Sequence, residues 1–243
     1  MPPSTPGSIV FTARVVLVLL VLLPPLWLRL RGVRDDRQAF ALVRRCARRV
    51  LRATGIRVEL RHADRVPAGE PVMFVSNHVS IADAAVLLAV LPFDLRFVAN
   101  HVFARYPLLG PAIRGASANI VDRGSWRSRA DSGQAMVDAL GRGQSLLVFP
   151  EGTTSDDGSL LPFRNGAFRA AARTGRRVVP VVLRGTRDLM PARRWVLANV
   201  PLSVEVLPAI EPGDVSRDHV ANLRDRAAAA IQAALDAGAG LPG

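Results

Sequence analysis

The sequence predicts an α/β fold: a mainly parallel central sheet flanked by helices, with an N-terminal membrane-embedded helical segment. From residue 56 onward, short apolar runs alternate with helical stretches, which argues for helices packed on a parallel sheet. Ahead of them, Val15–Leu28 is an uncharged run of 14 residues, VVLVLLVLLPPLWL, followed directly by arginines. Of the 243 residues, 49% are hydrophobic, high for a soluble protein and too low for a multi-span membrane protein. One apolar segment joined to one globular domain gives this balance, and the length suffices for a sizeable core.

The apolar segment comes first. A full span needs about 20 residues, and a shorter run is interfacial, re-entrant or a signal-peptide core. Pro24 and Pro25 would break a helix unless neighbouring structure compensates. No small-residue cleavage site follows, and Trp27 with the next arginines suits a membrane–water boundary. The segment therefore reads as a retained anchor, spanning or half-inserted. Between Arg29 and Arg52 stand nine arginines against Asp35 and Asp36, and this excess places the rest of the chain at the cytoplasmic face of the inner or plasma membrane.

From Asp35 to Ala53 the apolar residues Phe40, Val43, Ala47, Val50 and Leu51 recur at helical spacing among arginines. Such a helix either packs on the core with a solvated basic face or lies on anionic lipid. Strand candidates then follow at Ile56–Leu60, Val72–Val75, Leu95–Ala99, Asn119–Val121, Leu146–Phe149, Val178–Leu183 and Ser203–Leu207. Helix candidates are Ile81–Val90, Arg127–Leu140, Gly166–Arg173 and His219–Ala237. The chain thus divides into a tail and anchor (1–31), a basic amphipathic helix (32–55), an α/β domain (56–237) and a short tail (238–243).

The formal net charge is +12, and arginine carries all of the positive side chains, since the sequence contains no lysine. That charge calls for an anionic partner. With a single tyrosine and no nucleic-acid motif, membrane lipid is the partner expected and nucleic acid is not. Cys46 is the one cysteine, which excludes an intramolecular disulfide and a cysteine-rich metal site.

Chemistry concentrates at two strand ends. After VMFVS comes Asn77-His78-Val79-Ser80-Ile81-Ala82-Asp83. A histidine can take the proton of an attacking hydroxyl, and a carboxylate on the other ring nitrogen fixes its tautomer. His78 and Asp83 can meet only if His78 lies in a loop and Asp83 in the first turn of the helix. A second reading makes Ser80 and Asp83 an S-x-x-D helix cap. The other strand end is Phe149-Pro150-Glu151-Gly152-Thr153-Thr154, where proline stops the strand and glycine permits close backbone approach.

N-H-x-x-x-x-D followed by F-P-E-G-T at this separation resembles the glycerolipid acyltransferase family, whose best-known bacterial member acylates 1-acylglycerol 3-phosphate. Ala118–Arg123 looks like that family's second block, ending in Asp122-Arg123, and Val178–Val182 looks like its fourth. The resemblance implies a fatty acyl transfer from acyl-CoA or acyl carrier protein to a lysolipid hydroxyl. It makes His78 the general base and Asp83 its orienting partner. Asn77, Arg123, Glu151, Gly152, Thr153 and Arg164 fall among the acceptor-binding residues. It implies no metal and no cofactor beyond the activated donor. Thr154 stands where the family commonly has arginine, and Asn100-His101 where it often has lysine. Arg123 and Arg164 can replace those cations; alternatively the acceptor lacks a phosphomonoester, as in a lyso-ornithine lipid. A reading from another class is a non-catalytic, membrane-anchored binding module. A soluble α/β hydrolase is disfavoured because no G-x-S-x-G motif is present.

Overall fold

The structure is a computed structural model that describes residues 6–100, 110–112, 117–121, 126–155, 157–190 and 196–238. Among these, seven strands form one sheet: β1 (Val58–Arg61), β2 (Met73–Ser76), β3 (Leu95–Asn100), β4 (Ser117–Val121), β5 (Ser145–Val148), β6 (Val178–Arg184) and β7 (Leu202–Val206). Their order is β1-β7-β6-β2-β5-β3-β4. The block from β6 to β4 is parallel throughout; β7 joins β6 antiparallel, and β1 pairs parallel to β7. All seven strands expected from the sequence are present, displaced by a residue or two at their ends.

Accompanying the sheet are the helices α1 (Pro6–Arg31), α2 (Asp36–Thr54), α3 (Ala82–Val90), α4 (Trp126–Gly141), α5 (Gly166–Thr174), α6 (Thr186–Leu189) and α7 (Arg217–Gly238). Both sheet faces are covered, and strand periodicity divides the core between them. Val72, Phe74, Leu147, Val179 and Val181 face α1, α2 and α3. Their neighbours Met73, Val75, Leu146, Val148 and Val182 face α4, α5 and α7. The one-turn helix α6 had no sequence signal, because four residues are too few for a helical period to show.

Helix α1 runs unbroken through Pro24 and Pro25, so the break that these prolines invite does not occur. Helix α2 packs antiparallel along it. Leu23 and Leu26 are buried on either side of the proline pair, and the Cys46 thiol donates to the Leu22 carbonyl at 3.9 Å. Near the other end, Arg14 Nε donates to the Ala53 carbonyl at 2.9 Å, satisfying the C-terminus of α2. Among the described residues one helix, α1, is long and apolar enough to cross a membrane. Ile9, Val10, Val16, Leu17, Leu20, Val21 and Leu28 remain exposed on it.

The basic face of α2 is only partly a solvated one. Phe40 and Val43 enter the core, while Arg48 Nε donates to the Ala89 carbonyl at 2.8 Å and Arg44 donates to the carbonyls of Leu91 and Phe93. These two guanidinium groups close the C-terminal end of α3, where the last carbonyls have no intrahelical donors. The helix that carries Asp83 is therefore held at its far end by α2.

Candidate active site

Parallel neighbours end on the same edge of a sheet. Because β2 and β5 are adjacent and parallel, the loops that follow them emerge side by side, although 73 residues separate His78 from Glu151 in sequence. This is the edge at which open α/β sheets place their ligands. His78 sits in the loop between β2 and α3, and Asp83 is the second residue of α3.

His78 Nδ1 and Asp83 Oδ2 are 2.9 Å apart, with the histidine side chain 16% exposed and the aspartate fully buried. The same Oδ2 accepts the backbone N–H groups of Val79 at 2.8 Å and Ser80 at 2.9 Å. One oxygen thus makes both the ring contact that the orienting reading requires and the backbone contact that the cap reading requires, although the N-cap position itself is Ile81. Oδ1 is buried without a partner among the described residues, so the carboxylate's hydrogen bonding is concentrated on the oxygen facing the imidazole. An acceptor already bound to two N–H groups requires a donor from the ring, so Nδ1 carries the proton and Nε2 the lone pair. The ring lies flat on Phe149, with centroids 4.1 Å apart and planes 14° from parallel.

The loop after β5 clamps the backbone on both sides of that ring. Glu151 Oε1 accepts the His78 N–H at 2.7 Å, and the Ser155 N–H donates to the His78 carbonyl at 3.2 Å. Glu151 Oε2 accepts the Leu161 N–H at 2.9 Å, so both oxygens are engaged inside the protein. Burial pushes this carboxyl above its ordinary value; the two backbone N–H bonds and the nearby His78 oppose that rise. Gly152 adopts φ +79°, a left-handed conformation that makes the turn possible, and its N–H donates to the Phe149 carbonyl at 3.1 Å.

Of the residues expected to contact an acceptor, Asn77 and Glu151 have their polar groups engaged elsewhere. The Asn77 side chain donates to the Leu183 carbonyl and accepts the Leu183 N–H, each at 2.9 Å, which ties the end of β2 to β6. Thr153 and Arg164 are exposed at the same edge, and the Arg164 N–H bonds the Pro150 carbonyl at 2.9 Å. Arg123, with Asp122 and His101, lies outside the described residues; β4 ends at Val121, two positions before it. Phe149, a strand end in the sequence, is the platform under His78. Period-two alternation carries the signal, since Phe149 shares the α3-facing side with Leu147. Among the described residues no group of three His, Cys, Asp or Glu side chains is placed to hold a metal ion.

A strand-end histidine oriented by a helix-borne carboxylate, beside a Pro-Glu-Gly turn on a parallel sheet, agrees with what comparison with known proteins finds. The chain belongs to the acyltransferase family, whose model, described as "Acyltransferase", matches residues 57–184. Among its relatives is the human 1-acyl-sn-glycerol-3-phosphate acyltransferase alpha, 32% identical over 71% of this chain and 61% of that protein. The chloroplastic 1-acyl-sn-glycerol-3-phosphate acyltransferase BAT2 of Brassica napus is 35% identical over 56% of this chain and 39% of its own length. The chain thus spans about two fifths to three fifths of these relatives. In fold it is similar to the 1-acyl-sn-glycerophosphate (LPA) acyltransferase PlsC from Thermotoga maritima. That comparison gives a TM-score of 0.79 at 22% identity, with 98% of each chain covered.

Proposed function

We propose that this chain is a membrane-associated O-acyltransferase that moves a fatty acyl group from a thioester to the free hydroxyl of 1-acylglycerol 3-phosphate, giving phosphatidate. The observation that carries this reading is the His78–Asp83 pair, whose Nε2 has no protein partner among the described residues and whose backbone is clamped by the loop after β5. Nε2 takes the proton as the hydroxyl oxygen attacks the thioester carbonyl. The Asp83 carboxylate stabilises the imidazolium so formed. The tetrahedral intermediate then expels the thiolate, which receives that proton, and no covalent acyl-enzyme forms. The donor is acyl-CoA or acyl carrier protein, and because the thioester is already activated the reaction as written needs no metal or cofactor. The 1-acyl-sn-glycerol-3-phosphate named for the relatives supports this acceptor.

Glu151 and Asn77 serve as positioning residues in this scheme, while Arg123, Gly152, Thr153 and Arg164 belong to the acceptor's side. The exposed apolar row of α1 attaches the enzyme to the bilayer, and the arginine excess after it puts the α/β domain on the cytoplasmic face. Lateral uptake from the surface suits a lipid acceptor, because each buried CH₂ holds it in the bilayer by about 0.8 kcal/mol. Thr154, standing where an arginine is common in the family, favours a second reading with a lyso-ornithine lipid as acceptor.

The test is acyl transfer from labelled donor with lysophosphatidate and lyso-ornithine lipid offered in parallel. Lysophosphatidate should be preferred, and Arg123→Ala should raise its apparent KM. His78→Ala should lower turnover by about 10²–10⁴-fold while the protein stays folded. Near-normal turnover in folded His78→Ala protein would falsify the mechanism. A preference for lyso-ornithine lipid with indifference to Arg123→Ala would transfer the assignment to that acceptor.

A further inference from the structure

Helices α1 and α2 do not close on each other along their whole length. Between them lies an open cavity of about 300 Å³, at the small end of ordinary ligand pockets. On the α1 side it is lined by Leu22, Pro25, Leu26 and Arg29, and on the α2 side by Leu42, Arg45, Cys46 and Arg49. Each set has the spacing i, i+3, i+4, i+7 of one helical face, so two matching ridges face each other. The gap opens where the ridges present Pro25 and Cys46, side chains too small to fill it.

The charge of this cavity is not compensated. No acidic residue lines it, and the guanidinium groups of Arg29, Arg45 and Arg49 make no hydrogen bond or ion pair among the described residues. The contrast lies within α2 itself, where Arg44 and Arg48, one position earlier in each turn, are spent on the carbonyls at the end of α3. The remaining lining is apolar, and the cavity sits beside the exposed row of α1 that includes Leu20, Val21 and Leu28. Guanidinium groups over an apolar floor fit a phosphodiester whose glycerol and first acyl carbons lie against leucine.

We propose that this cavity is a binding site for the headgroup of an anionic phospholipid of the host bilayer, separate from the acceptor site at His78. It rests on the membrane attachment of α1 and adds to it a preference for anionic lipid. Each guanidinium near an anionic surface strengthens binding about fivefold, and a pair in direct contact should do so more strongly than a pair elsewhere on the hairpin.

The experiment uses the full chain with vesicles of phosphatidylcholine alone and vesicles containing phosphatidylglycerol. The double variant Arg45→Gln/Arg49→Gln is compared with Arg34→Gln/Arg37→Gln, which removes equal charge from exposed positions outside the cavity. Wild type should prefer the anionic vesicles, and the cavity variant should lose at least about twenty-five-fold of that preference, with the outside variant losing markedly less. Cys46, the single thiol and a cavity residue, gives a local readout with a maleimide probe. Its modification should be slowed by anionic vesicles beyond any slowing by neutral ones, in wild type and the outside variant and not in the cavity variant. Equal losses in the two variants, or equal slowing by both vesicle types, overturn the proposal. Equal slowing by inorganic phosphate without vesicles overturns it in favour of free phosphate. Neutral-vesicle binding without an anionic preference sinks this site alone, whereas binding to neither vesicle sinks the membrane reading with it.

Discussion

Oδ2 of Asp83 receives the imidazole and two backbone N–H groups, so the residue that shapes the start of α3 also fixes the ring. Asp83→Asn can keep an oxygen there, but without charge, and neutral hydrogen bonds are about half as strong as charge-assisted ones. It should lower stability by about 1–3 kcal/mol and also cut turnover, read as a melting temperature and a rate on the same preparation. Stability lost with turnover intact would leave Asp83 as a helix cap alone. Glu151 makes a pH-dependent prediction. Burial raises its carboxyl pKa above the ordinary 4.5, so the folded state holds that proton more tightly than the unfolded chain does. Its contribution to stability is fully present below the unfolded value and is lost as pH rises through the raised folded one. Denaturant unfolding at a series of pH values should therefore show wild type losing ground to Glu151→Gln from about pH 4.5 upward. A difference that does not change with pH would show that Glu151 does not titrate there.

At the scale of elements, the α1–α2 hairpin constrains how the proposed membrane contact can be made. Arg14 bonded to Ala53 and Leu22 bonded to Cys46 fix the two helices antiparallel and side by side. If α1 spanned the bilayer, the arginines of α2 would be drawn into hydrocarbon with it, at roughly 2.5–3.5 kcal/mol each near the centre. That cost weighs against a fully spanning α1 and favours a half-inserted hairpin, with the exposed row of α1 turned to the acyl chains. Helix α1 is also part of the fold, since Phe11, Val15, Leu23 and Leu26 join the core and Thr12 Oγ1 accepts the Leu197 N–H at 2.8 Å. Deleting residues 1–31 would strip that core along with the anchor. The cleaner variant is Leu17→Ser/Leu20→Ser/Val21→Ser, at side chains 62%, 60% and 61% exposed. Vesicle flotation should fall sharply while the melting temperature holds. Unchanged flotation would remove this face from the membrane contact.

At the scale of the molecule, one sheet links two cores. Leu87 of α3 lies on one face and Ile231 of α7 on the other, both fully buried. Leu87→Ala and Ile231→Ala should each cost about 2–5 kcal/mol, and each should shift a single thermal transition, because β2, β5 and β6 contribute side chains to both layers. Two separate transitions would show that the layers melt independently. The same sheet assembles the site: β6, β2 and β5 are parallel neighbours, so Leu183, His78 and Glu151 meet at one edge.

Local chemistry was legible in the residues themselves. Alternating apolar runs and helical periods identified every strand of the sheet within a residue or two, and N-H-x-x-x-x-D with F-P-E-G-T marked both loops of the site. The requirement that His78 sit in a loop and Asp83 in the first turn followed from helical geometry alone, and it is met. Partnership was not legible, because it depends on which backbone atoms lie nearby once the strands are ordered. Tertiary structure alone assigned both oxygens of Glu151 to the N–H groups of His78 and Leu161, and the amide of Asn77 to Leu183. It also kept α1 continuous through two prolines, with α2 packed beside it, and divided the arginines of α2 between carbonyls of α3 and an uncompensated cavity. A sequence states which groups can donate, accept or carry charge; only the fold decides which of them meet and which remain unpaired.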